Sequence, residues 1–119
     1  MKIDYATPTF NLFGPEGNGW SYSDPFDYST LSWDEKLGSK PNQLDLALAS
    51  VEQYYNQEVF AYKHQRQYPP IAEQLDQIFH QGVDAWKSDI QAIKDASPKQ
   101  TLDANELEKR KQEVRDFLS

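Results

Sequence analysis

Residues 42–65 read Asn-Gln-Leu-Asp-Leu-Ala-Leu-Ala-Ser-Val-Glu-Gln-Tyr-Tyr-Asn-Gln-Glu-Val-Phe-Ala-Tyr-Lys-His-Gln, and they decide the fold class. Leu44, Leu48, Val51, Tyr55, Val59 and Tyr62 step by four, three, four, four and three residues. That spacing aligns side chains along one side of an α-helix. Pro41 suits a helix start and Asn42 a cap. The pattern therefore predicts a helix from Asn42 to Gln65, which Tyr68-Pro69-Pro70 ends because a residue before proline avoids the α region.

Working towards the C-terminus, Pro70 can open a second helix with Ile71, Leu75, Ile78 and Phe79 on its apolar side. Gly82 offers a stop or a kink. Val83, Trp86, Ile90 and Ile93 make a third stripe, which Ala96-Ser97-Pro98 closes. A last helix starts near Asp103, with Glu106 placed as in a capping box. It carries Leu107, Val114 and Leu118 on one side and a mixed-charge solvated face from Glu106 to Arg115.

Towards the N-terminus the helical period disappears. Residues 1–41 hold four of the five glycines, four of the seven prolines and eight of the 16 aromatic rings. Gly and Pro at this density favour turns and short extended pieces. Residues 7–13 alternate weakly and read as a strand, Gly14 to Gly19 as a turn, and Trp20 to Ser23 as a second strand. A lone hairpin is marginal in water, so this segment needs a partner surface or the helices behind it. Disordered tails are poor in aromatics, which argues against a mere solvated tail. Two readings of the rings remain open: packing on the chain's own helices, or docking on another protein, where aromatics are enriched at hot spots.

The expected architecture is mainly α: a small hairpin or bundle of three to four helices with an extended, aromatic-rich N-terminal arm and a possible short β-hairpin. The expected parts are the arm at 1–41, a helical module at 42–100 and a charged C-terminal helix at 101–119.

Composition narrows the function. With 12 Lys+Arg against 19 Asp+Glu, the net charge of −7 disfavours nucleic-acid binding, which needs many phosphate-neutralising cations. The absence of cysteine removes disulfides, thiolate metal sites and thiol nucleophiles, and two histidines cannot make a three-histidine site. No apolar run approaches the length of about 20 residues that spans a bilayer, and the start shows no secretory signal. Mean hydropathy is −0.84 and apolar residues make up 38%, which points to a small core plus a surface meant to contact something; the helical half buries only a modest core, which self-association or a partner would stabilise.

Catalytic patterns are weak. His80 lies four residues from both Asp76 and Asp84, but Gly82 interrupts the helix between them, and a surface histidine with helix-stabilising neighbours is the better reading. His64 near a helix C-terminus complements the macrodipole. The Gly14–Gly19 turn lacks the lysine and helix of a phosphate loop. The sequence therefore points away from an enzyme and from any cofactor or metal.

Residues 68–99 carry one distinctive pattern: Tyr68-Pro69-x-Ile71, then Gln74-Leu75-Asp76, Trp86-Lys87, Ile90, Ile93-Lys94 and Pro98-Lys99. This segment resembles a short module of small tailed-bacteriophage proteins described as tail or tail-fibre assembly chaperones, or as virion proteins. It covers about a quarter of the chain. The family often has serine where Pro70 stands, and often stops near Lys99. The resemblance implies a non-enzymatic protein that binds a phage tail-fibre or baseplate protein in the host cytoplasm during assembly. The alternative it leaves is a permanent component of the virion tail. Expected partner-binding residues are Phe10, Phe13, Trp20, Phe26, Tyr28 and Trp33 in the arm, with Tyr68 and Trp86 in the module. No nucleic acid or membrane is expected as a partner; self-association is possible.

Overall fold

The computed structural model describes all residues, 1–119. It is mainly helical with one small antiparallel sheet. The elements are α1 (Ala6–Phe13), β1 (Trp20–Tyr22), β2 (Leu31–Trp33), α2 (Gln43–Phe60), α3 (Tyr62–Gln65), α4 (Ile71–Gln81), α5 (Val83–Ala96) and α6 (Ala104–Leu118). They form two compact units: Met1–Asn56 with Asp103–Ser119, and Gln57–Leu102.

In the first unit, residues 7–13 are helical rather than extended. Asp4 decides this locally: its Oδ1 accepts from the amides of Ala6 (3.0 Å) and Thr7 (3.2 Å), which the first turn of α1 leaves unpaired. Pro8 falls in that first turn, where a missing N–H costs nothing. An eight-residue helix shows too few turns for a visible period, and its stability comes from packing. Tyr5 Oη accepts from Gln43 (3.1 Å), Asn11 donates to Gln53 (2.8 Å), and Tyr54 donates to Asp4 (2.6 Å). These bonds lace the α1 segment along α2.

The hairpin pairs β1 with β2 in the register Trp20↔Trp33, Ser21↔Ser32 and Tyr22↔Leu31. Its first strand is where the ring–hydroxyl alternation places it, but its partner is Leu31–Trp33. The connection is a polar loop closed by Asx turns: Asp24 and Asp27 accept from the amides of Phe26 and Ser29. Gly19, at φ 107°, precedes the hairpin; a Cβ there would sit 2.9 Å from a methyl of Leu37. Residues 1–41 are thus a folded helix and hairpin instead of an extended arm.

The core gathers Ile3, Tyr5, Trp20, Tyr22, Leu31, Leu46, Ala47 and Val114. Each large apolar side chain buried here contributes about 1.5–3 kcal/mol. The deepest residues of α2, Leu46 and Ala47, lie off the Leu44–Tyr62 stripe, and Leu44 is exposed. The reason is that residues 3–33 and α6 both cover the N-terminal half of α2, which widens its buried arc. Thr9, fully buried, donates to the Tyr5 carbonyl (2.7 Å) and pairs with the Tyr22 hydroxyl (3.1 Å). No buried side-chain N or O lacks a partner.

α6 starts where its cap predicts. Asp103 accepts from the amides of Asn105 (2.9 Å) and Glu106 (3.4 Å). Val114 anchors it in the core, Lys111 pairs with Glu52 at 3.4 Å, and the Arg110 guanidinium lies 4.7 Å from the Tyr55 ring.

In the second unit the predicted boundaries hold closely. Pro70 precedes α4, Gly82 at φ 87° separates α4 from α5, and α5 ends at Ala96. Arg66 donates to the Ser97 carbonyl (2.8 Å) and stacks 4.8 Å from the Tyr62 ring. These contacts tie the two ends of the α4–α5 hairpin together.

Candidate partner-binding surface

The rings singled out from the sequence fall into different settings. Trp20 is in the core, 3% exposed, with its indole N–H on the Gly14 carbonyl at 3.1 Å. It presents no surface to a partner, because β1 turns it inward beside Tyr22. Phe13 and Trp33 are half-buried against one another, edge to face at 4.8 Å, and Trp33 donates to the Gly38 carbonyl. Tyr28 packs edge-on to Tyr5 and donates to the Pro41 carbonyl (2.6 Å); partial burial pushes its hydroxyl pKa up. Only Phe10 and Phe26 of this segment are substantially exposed, and the Lys2 ammonium sits 4.1 Å over the Phe26 ring.

A cavity of about 380 Å³ opens in this unit between Ile3, Phe26, Val51 and Tyr54. Two of its polar groups, Asp4 and Tyr54, bond one another. Asp4 accepts from Tyr54, Thr7 and two amides, and Tyr54 spends its proton on Asp4. Burial opposes the charge on Asp4, but the bonds from Thr7, Tyr54 and Ala6 outweigh it, so the carboxyl titrates below its ordinary range. The same bond raises Tyr54, with burial adding to it. These bonds make Asp4 and Tyr54 part of a structural network.

The second unit holds the more informative surface. Neither α4 nor α5 contains a buried residue. Two hydrogen bonds cross between the helices: Trp86 donates its indole N–H to Gln74 Oε1 (3.0 Å), and Gln77 donates to Asp89. Gln74 also donates to the Pro69 carbonyl (2.7 Å), which fixes the helix entry. With α5 placed on the Gln74–Gln77 side, the stripe Ile71, Leu75 and Phe79, stepping by four, lies on the neighbouring side of α4.

That stripe is bare. Ile71 is 75% exposed, Leu75 60% and Phe79 84%, with Val83 at 47% and Tyr68 at 44% beyond its ends. The sequence places Ile71, Leu75 and Phe79 on the inner face of the hairpin with Trp86, Ile90 and Ile93. Only the α5 members and Ile78 are half-buried. Gln74 and Gln77, one helical turn apart on α4, add polar contacts to Trp86 and Asp89 beside these half-buried side chains.

Tyr68 and Trp86 thus differ in role. Tyr68 is exposed at the head of the stripe, and Trp86 is a hairpin contact. His80 is exposed beside Phe79, with ring centroids 5.0 Å apart. Gly82 puts Asp76 and Asp84 on separate helices. No helix is long and apolar enough to cross a membrane. Comparisons with protein families, curated proteins and solved structures return no match.

Proposed function

We propose that this protein is a non-enzymatic assembly chaperone for a tail or tail-fibre protein of a tailed bacteriophage, acting in the host cytoplasm. The observation that carries the reading is the bare stripe Ile71–Leu75–Phe79, with Tyr68 at its head, on the same segment that resembles the phage module. A monomer rarely leaves a contiguous row of large apolar side chains in water unless something covers it. An apolar helix face of this kind takes an apolar segment of a partner, read out at i, i+4 and i+8. A nascent fibre chain exposes such segments until it trimerises, so covering them is the chemistry a chaperone needs. No nucleic acid, membrane or cofactor enters this reading.

The test is co-expression with the fibre or tail protein of the same phage. The expected result is more soluble, correctly trimerised fibre with the wild-type chain, and no gain with Phe79→Glu. An unchanged fibre yield would sink the proposal. The second reading, a permanent adaptor in the virion tail, uses the same face and differs only in whether the protein stays bound. Mass spectrometry of purified particles separates the two: a fixed copy number relative to the fibre identifies the adaptor, and absence identifies the chaperone.

A further inference from the structure

The stripe on α4 has a symmetry of its own. Ile71 and Phe79 lie four residues on either side of Leu75. Two copies of α4 laid antiparallel about a two-fold axis at Leu75 bring Leu75 against Leu75 of the second copy and Ile71 against its Phe79. A two-fold interface requires this reciprocity, residue i on j and j on i.

Charge allows the pairing. The unit Gln57–Leu102 holds five Lys/Arg against six Asp/Glu, whereas the remainder holds seven against thirteen. The excess that keeps copies apart therefore lies outside the hairpin. On α4 itself the acids are Glu73 and Asp76. Both lie off the Ile71–Leu75–Phe79 stripe, Asp76 on its flank and Glu73 on the far side of the helix, so no acid falls within the contact row itself.

Size sets the strength. The row exposes about 500 Å² per copy, taking aromatic side chains at 150–250 Å² and aliphatics somewhat below that. Full burial of both rows covers at most about 1,000 Å², the size of a weak, transient interface. Such a contact is weak and reversible, as a stand-in for a client has to be.

We infer that, without a client, the chain forms a two-fold dimer through α4, with Leu75 on the axis, and that this dimer masks the stripe until a fibre segment displaces the second copy. The masking role rests on the chaperone reading; the dimer does not.

Sedimentation velocity on the full chain, from about 1 to 100 μM, tests it. The wild type should shift towards twice the 13.8 kDa chain mass as concentration rises. Phe79→Glu should weaken the dimer at least about 100-fold, because the loss counts twice across the axis. Leu12→Glu, at an exposed site on α1, should leave it intact. Phe79 is 84% exposed, so its substitution leaves the fold standing, which helical circular dichroism verifies. A wild type that stays monomeric throughout, or a Phe79→Glu variant that dimerises normally, overturns the inference. A monomeric wild type that still raises fibre yield would remove the dimer and leave the chaperone reading. A dimer that never affects the fibre would do the reverse.

Discussion

The Tyr55 hydroxyl sits on the backbone of Asp103, accepting from its amide at 2.9 Å and facing its carbonyl at 3.3 Å. One side chain of α2 thereby holds the residue that caps α6. The Asp103 backbone is positioned by Tyr55 while its side chain satisfies the first amides of the helix. The C-terminal helix has few apolar residues, and this fixed start lets Val114 reach the core.

Tyr55→Phe keeps the ring and removes the bond. The expected loss is about 1 kcal/mol, read as a lower urea midpoint with an unchanged slope. An unaltered midpoint would show that α6 docks through Val114 alone.

Asp4 couples folding to acidity. Its carboxyl titrates below the ordinary value of 3.8 in the folded chain, so folding favours the charged form. The stabilisation is fully present above that ordinary value and is lost as pH falls through the lower, folded one. Asp4→Ala should cost about 1 kcal/mol at neutral pH, the usual price of a missing helix cap. The gap between wild type and variant should close as the pH drops below about 4. Glu108 is also lowered, by its hydrogen bond to Arg115, but that pair is exposed and screened by salt. The Asp4 effect should therefore persist at high ionic strength, and a gap that is flat with pH would contradict it.

Trp20 and Leu75 should respond in opposite ways to truncation. Trp20→Ala opens a cavity in the core and should cost about 3–5 kcal/mol. Leu75→Ala removes a side chain that is 60% exposed and should stay within about 0.5 kcal/mol in dilute solution. Chemical denaturation of both variants, at concentrations where the chain is monomeric, makes the comparison. A large loss at Leu75 would mean that the stripe is covered by the chain itself.

Gly19→Ala tests the entry to the hairpin. Both the backbone at φ 107° and the Leu37 methyl oppose a side chain there. The expected cost is about 1–3 kcal/mol, seen in thermal melts, and a neutral substitution would show that Leu37 and the loop move aside freely.

Much of the helical half was legible as spacing. The period of residues 42–65, the Pro-Pro break, Gly82 and the Asp103 cap are local signals, because capping, chain stiffness and side-chain direction act over a few residues. α2 stops at Phe60 and resumes as α3 at Tyr62, a break that no residue type announces. The stripe Ile71–Leu75–Phe79 was legible as apolar, but not as bare. Which side of α4 receives α5, and so which of its apolar residues are covered, is settled only in three dimensions.

By itself the sequence determined most of the helical pattern from Asn42 onward, the acidic balance and the supply of aromatic rings, since these rest on local periodicity and composition. The tertiary structure decided what residues 1–41 become. α1 is too short to show a period, β2 carries only the single alternation Leu31-Ser32-Trp33, and each is stable only because Tyr5, Trp20, Tyr22 and Leu31 close over Leu46, Ala47 and Val114. Burial among residues distant in sequence made that segment a folded helix and hairpin and turned Trp20 inward.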